Sequence, residues 1–181
     1  MTSVLLHTIS GRLQLDTVQQ AAIEMTLEAF KAACAEAVSV GQRLDTTSNA
    51  VIHRSCYRDL RTAFGLSANL TIRAIAQAAR QLKNLPDTNE DLPAIDYDAR
   101  TLSLSDDLQT VSLSTVDGRM AEVPFLLAAS EQRLFLQTAG VHRAMLRRVQ
   151  ANTYLLDVTL ALKGSSASGF SSEQPIRHHK K

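Results

Sequence analysis

Residues 53–84 read HRSCYRDLRTAFGLSANLTIRAIAQAARQLKN, and the interpretation of the whole chain follows from this stretch. It divides into two helices at Gly65-Leu66-Ser67. Gly65 is suited to close the first helix in a left-handed conformation, and Ser67 to cap the second. The first helix carries Arg54, Arg58 and Arg61 at i, i+4 and i+7, which places three guanidinium groups on one face. The second carries Arg73, Arg80 and Lys83 at i, i+7 and i+10, a basic stripe set against an apolar one of Leu70, Ala74, Ala78 and Leu82. Cationic faces on two adjoining helices point to phosphate contact.

Working outward, residues 3–15 alternate apolar and polar positions through Leu5, Ile9, Leu13 and Leu15, which predicts a strand. Asp16 or Thr17 then caps a helix to about Gly41, with Ile23, Leu27, Phe30, Cys34 and Val38 on its core face. A polar connection is expected over 42–49. On the other side of the helix pair, residues 85–93 hold two prolines and three acids and read as a linker. Beyond them the period is two. Ile95-Asp96-Tyr97 and Thr101–Leu104 flank a turn at Asp98-Ala99-Arg100, and Thr110–Val116 precedes the Asp117-Gly118 turn signal. A short helix is expected over 130–138. His142–Val149 and Tyr154–Leu162 then form a hairpin around Gln150-Ala151-Asn152, the last strand alternating cleanly. Residues 164–181, rich in Ser and Gly, read as a disordered tail. The expected class is α+β: a small antiparallel β-barrel made of strand 3–15 and the strands of 94–163, with a helical lobe, 16–84, inserted between them.

Composition bounds the function. The 181 residues are 45% hydrophobic, enough for a core, and carry a net charge of +1. Affinity for a polyanion must therefore come from clustered rather than abundant charge. The N-terminus meets charge too early for a signal peptide and no run of 18 apolar residues exists, so a cytoplasmic protein without membrane association is expected. Cys34 and Cys56 lack metal or disulfide spacing and read as buried side chains. His7, His53 and His142 show no ligand spacing, so no metal or other cofactor is expected. Neither a phosphate-cradling glycine loop nor a G-x-S-x-G turn is present.

Several runs taken together resemble the N-terminal half of TnpB-type proteins, the OrfB proteins of insertion sequences and relatives of type V CRISPR effectors. They are SGRLQLDTVQQAAIEMTLEAFKAACAEAV (10–38), residues 53–83, AIDYDARTLSLSDDLQTVSLSTVDGRMAEVPF (94–125) and AMLRRVQANTYLLDVTL (144–160). The order Y-x-x-L-R, G-L-S, Y-D-x-R-x-L-S-L and S-T-x-D-G-R carries the likeness, which spans about residues 3–162. It implies an OB-like wedge domain with a helical recognition lobe, holding a guide RNA and reading a short DNA motif beside the target. Members of that family continue into a RuvC-like nuclease whose carboxylates hold two metals. Here Asp87, Glu90 and Asp91 fall on the linker and Asp106 and Asp107 at a turn, so no two-metal centre is expected. The chain is accordingly expected not to cut nucleic acid by itself and to need a separately encoded nuclease half.

The candidate nucleic-acid contacts are Arg54, Arg58, Arg61, Ser67, Asn69, Arg73, Arg80 and Lys83 on the helix pair. On the strands they are Arg119, Arg143 and Arg147, with Arg143 and Arg147 on one strand face and Arg148 on the other. Ser67, Asn69 and Arg73 lie at a helix N-terminal turn, within reach of bases or phosphates. Tyr57 reads as the buried anchor of its helix, with a stacking platform as the alternative. The competing reading of the arginines is a solvated surface, with Asp59 as a partner. The competing reading of the protein is a remnant or a protein-interaction module without nucleic-acid function.

Overall fold

The computed structural model describes residues 5–83, 94–128 and 138–162. The expected linker at 85–93, most of the expected short helix at 130–138 and the tail from 164 lie outside the described residues. The described part is α+β, with three helices and seven strands.

Helix α1 (Thr17–Arg43) starts where the sequence provides a cap. Asp16 accepts from the Gln19 amide at 2.8 Å, and the Gln19 side chain accepts from the Asp16 amide at 3.1 Å, a reciprocal box that satisfies two otherwise orphan donors. Its buried face is Ile23, Leu27, Phe30, Cys34 and Ala37. Helix α2 (Asn49–Phe64) begins four residues ahead of His53. That is where the expected polar connection ends, and the first turn packs through fully buried Ile52. Gly65 ends α2 at φ 64°. Helix α3 (Ala68–Lys83) follows after Leu66 and Ser67. Ser67 Oγ accepts from the Leu70 amide at 3.3 Å, so both punctuation residues act as the sequence predicts.

The strands are β1 (Leu5–Leu13), β2 (Ala94–Tyr97), β3 (Leu102–Leu104), β4 (Thr110–Thr115), β5 (Gly118–Leu126), β6 (Thr138–Gln150) and β7 (Thr153–Leu162). They form one antiparallel sheet in the order β2-β6-β7-β1-β5-β4-β3. Strand β1 joins the later strands, as expected, at the centre of the sheet. Strands β2 and β3 flank a tight turn yet do not pair: they occupy opposite ends of the sheet. Asp98–Thr101 bridges those two ends in four residues, so the sheet must curl into a half-barrel to bring its edges together. Two bonds tie the approach. The Tyr97 hydroxyl donates to the Ser114 carbonyl at 3.0 Å, and the Ser114 amide donates to the Thr101 carbonyl at 2.8 Å.

Inward-facing Ile9, Leu113, Val123, Leu146, Tyr154, Leu156 and Val158 fill the concave side together with Ile23, Leu27 and Phe30 of α1 and Leu70 and Ala74 of α3. Two of the helices thus share the sheet's core. A second cluster, Ala37, Ile52, Cys56, Leu60, Ile75 and Ala78, is made by the helices alone and positions α2.

Two glycines are required for different reasons. At Gly11 a Cβ would overlap the Phe125 ring and lie 2.9 Å from the Leu126 carbonyl oxygen, because β1 and β5 approach here with no space for a side chain. Around Gly65 nothing lies within 4 Å, and only the positive φ matters. Gly11→Ala should therefore destabilise by about 2 kcal/mol, lowering the melting temperature by roughly 4–8 °C. Gly65→Ala should cost about 1 kcal/mol, the ordinary left-handed penalty. Thermal melts of the two variants check both values, and equal melts would contradict the packing account of Gly11.

Candidate nucleic-acid interface

The arginines singled out by the sequence separate into two populations, and a residue not singled out makes the division. Asp96 lies on β2, an edge strand that pairs only with β6 among the described residues. Its neighbours Ile95 and Tyr97 point into the core, so Asp96 points to the other side. Arginines of α3 nonetheless reach it round the sheet edge, and its side chain is wholly buried. Three guanidinium groups converge on this carboxylate. Arg73 Nη2 stands 2.6 Å from Oδ2, Arg143 Nε donates to Oδ1 at 2.8 Å, and Arg80 Nη2 donates to Oδ2. Arg73 also donates through Nε to the Asp96 carbonyl at 3.4 Å and lies 3.7 Å from Asp98.

Helix periodicity explains why α3 supplies two of the three. Arg73 and Arg80 are seven residues apart, two turns, so both overhang the same spot on β2. The stripe that reads as a basic outer face is thus turned toward the sheet edge. Burial pushes the Asp96 carboxyl up. The hydrogen bonds and charges of Arg143 and Arg73 outweigh that, and the group titrates below its ordinary value.

Other candidates are also engaged. Arg147 donates to Asp157 at 2.6 Å, and Asp157 in turn accepts from Ser10 at 2.6 Å. Arg119, exposed, donates to Ser103 at 2.6 Å. Arg148, on the opposite face from Arg143 and Arg147, pairs with Glu24 of α1 at 2.7 Å, and Glu24 also accepts from the Tyr154 hydroxyl. This second junction was not foreseen from the sequence. Burial, then the Glu24 hydrogen bond, pushes the Tyr154 phenol up to about 12. Ser67 is occupied as a helix cap, half-buried Asn69 lies on the first turn of α3, and Lys83 is exposed at its end.

Arg54, Arg58 and Arg61 differ from all of these. They are exposed on α2 and have no ion-pair or hydrogen-bond partner among the described residues, Asp59 included. Beside them is a cleft of about 600 Å³ lined by Ala50, His53, Arg54, Ser55, Tyr57, Arg58 and Asp59. The rings of His53 and Tyr57 stack across one helical turn, centroids 4.7 Å apart and planes inclined by 24°. Half-buried Tyr57 also packs against the helical core cluster, so it serves as anchor and as cleft wall together. The surface thus combines exposed, unpaired cations with a flat aromatic pair, which is chemistry suited to phosphates and bases.

Among the described residues no group of His, Cys, Asp and Glu is arranged to hold a metal, and no helix is long and apolar enough to cross a membrane. Cys34 is buried, and burial pushes its thiol up to about 12. The chain matches no protein-family profile, and no curated protein matches it significantly.

The Asp96 cluster makes a stability prediction with a definite sign. Its folded pKa lies below its unfolded value, so its contribution is complete above the unfolded value of about 4 and disappears as pH falls through the folded one. Asp96→Asn should reduce stability at pH 7 by about 3 kcal/mol, the lower end for a broken buried pair, because Arg80 and Arg143 can turn toward water. The loss should shrink as pH drops below 4. Urea denaturation at pH 7 and at pH 3 checks it, and a deficit that is the same at both would contradict the charged hub.

Proposed function

We propose that this chain is a nucleic-acid-binding module of the TnpB-like kind its sequence resembles, contacting RNA or DNA through the α2 face. The observation that carries the proposal is the contrast between the arginines. Arg73, Arg80, Arg143 and Arg147 have carboxylate partners. Arg54, Arg58 and Arg61 have none among the described residues and share a helix face beside the aromatic cleft. Unpaired cations in register along a rigid helix are worth little to folding. They are worth much to a polyanion, which gains by releasing its counterions.

On this reading the partners are a guide RNA and a short DNA motif beside its target, and cutting would fall to a separately encoded RuvC-like half. Ser67, Asn69 and Lys83 extend the contact surface along α3, and Arg119 is a peripheral contact. The internal neutralisation of Arg73, Arg80, Arg143 and Arg147 and the net charge of +1 favour a second reading, a remnant or protein-interaction module.

Salt dependence separates the two. For the binding module, log K for a structured RNA or a duplex should fall with log salt by about 0.7–0.9 per phosphate neutralised. Replacing Arg54, Arg58 and Arg61 together by Gln should lower that slope by roughly 2–3 while changing folding stability by no more than about 1 kcal/mol. The corresponding change at Arg147 should leave the slope within error. Absence of binding at low salt would select the remnant reading. With magnesium or manganese added, neither single- nor double-stranded DNA should be cleaved, and cleavage that survives repeated purification would overturn the division of labour proposed here.

A further inference from the structure

The cleft on α2 contains more than a phosphate contact needs. Two rings are stacked in its wall. A stripe built for the outside of a duplex needs no such pair, since paired and stacked bases do not offer their ring faces to a helix surface. We propose that the cleft seats one unpaired nucleobase, stacked on the His53–Tyr57 pair, with Arg54 and Arg58 on the phosphates to either side. The inference rests on the nucleic-acid reading above and narrows it to single-stranded or looped-out segments at this surface.

Geometry supports the assignment in three ways. The ring pair is nearly parallel, 24° between planes at 4.7 Å, and both residues line the cleft, so a base entering it meets a flat aromatic pair. Arg54 follows His53 and Arg58 follows Tyr57 in sequence, so each ring is accompanied by a cation one position further round the helix, on the rim rather than beneath the ring. The volume, about 600 Å³, lies within the range of small-molecule sites and accommodates a nucleotide with solvent. Helix periodicity also separates the two functions: Arg61 lies beyond the cleft residues and extends the phosphate track without touching the base.

The test compares a 12-nucleotide single strand of mixed sequence with its own duplex, using the full chain. His53→Ala and Tyr57→Leu should each weaken single-strand binding by roughly 5- to 150-fold, the range for loss of one stacked base. Duplex affinity should stay within twofold, and the salt slope of single-strand binding should not change, because no cation is removed. Tyr57→Leu retains an apolar side chain against the helical core, and Tyr57→Phe, which keeps the ring, should bind as the original does. Single-strand affinities within twofold of the original in both His53→Ala and Tyr57→Leu would overturn the base seat. If the triple glutamine variant still lowered the salt slope in that case, the wider nucleic-acid reading would survive it. An original chain that binds neither strand form at low salt would overturn both.

Discussion

The carboxylate of Asp96 ties α3 and β6 to the edge strand β2. A fully buried charge costs several kcal/mol in desolvation and is tolerated only where its partners are well placed. Here the partners come from two directions, Arg73 and Arg80 from α3 and Arg143 from β6. Strand β2 is four residues long and sits at the end of the sheet. Its ladder to β6 fixes its direction, and Leu70 and Ala74 of α3 pack in the same core as Ile95 and Tyr97. The arginines add hydrogen-bond geometry to that apolar contact. Once α3 is fixed over β2, the short connection at Gly65-Leu66-Ser67 leaves α2 little choice of position.

This constraint also partitions the charge. Helix α3 turns its arginines toward the sheet because that is where an unsatisfied carboxylate lies. Helix α2 packs through Ile52, Cys56 and Leu60 onto α1 and α3 and does not reach the sheet's acidic side chains. Its own arginines project from the face opposite those apolar residues. The same physics therefore makes α3 a structural helix and leaves α2 with unpaired cations. Two stripes that look alike in sequence differ because only one of them overhangs an acid.

Much of the fold could be read from local chemistry. The Asp16 capping box, the Gly65 and Ser67 punctuation, the Asp117-Gly118 turn with Gly118 at φ 110° and the β6–β7 hairpin through Asn152 at φ 62° each depend on a few adjacent residues. Period-two alternation also placed Arg148 on the face opposite Arg143 and Arg147. Two things were not legible, and both depend on pairing across long separations. The turn at Asp98–Thr101 suggests a hairpin, yet its two strands belong to opposite sheet edges, because β2 finds β6 some fifty residues later. Likewise Asp96 looks like any polar strand residue until α3 and β6 arrive over it. A lone acid on the outer side of a strand, with Arg73 and Arg80 two helical turns apart upstream, is the one clue the sequence offered. Spacing within one element says which residues share a face; it does not say what that face meets.

Global charge is a poor guide to local field in such a molecule. The chain's acids and bases nearly cancel, to +1, but cancellation in a sum says nothing about cancellation in space. At the Asp96 hub three cations meet one buried anion and, more distantly, Asp98. Asp107 is engaged in the β3–β4 turn, where it accepts from Ser105 at 2.6 Å and from the Gln109 amide at 3.1 Å. An acid held in a turn is fixed there, and at a Debye length of about 8 Å in physiological salt it screens only its immediate surroundings. Three guanidinium groups in a row on α2 with a single acid beside them therefore present a positive field of their own. The field a ligand meets is set by which cations the fold leaves unpaired, and that selection was made when α3, rather than α2, closed over Asp96.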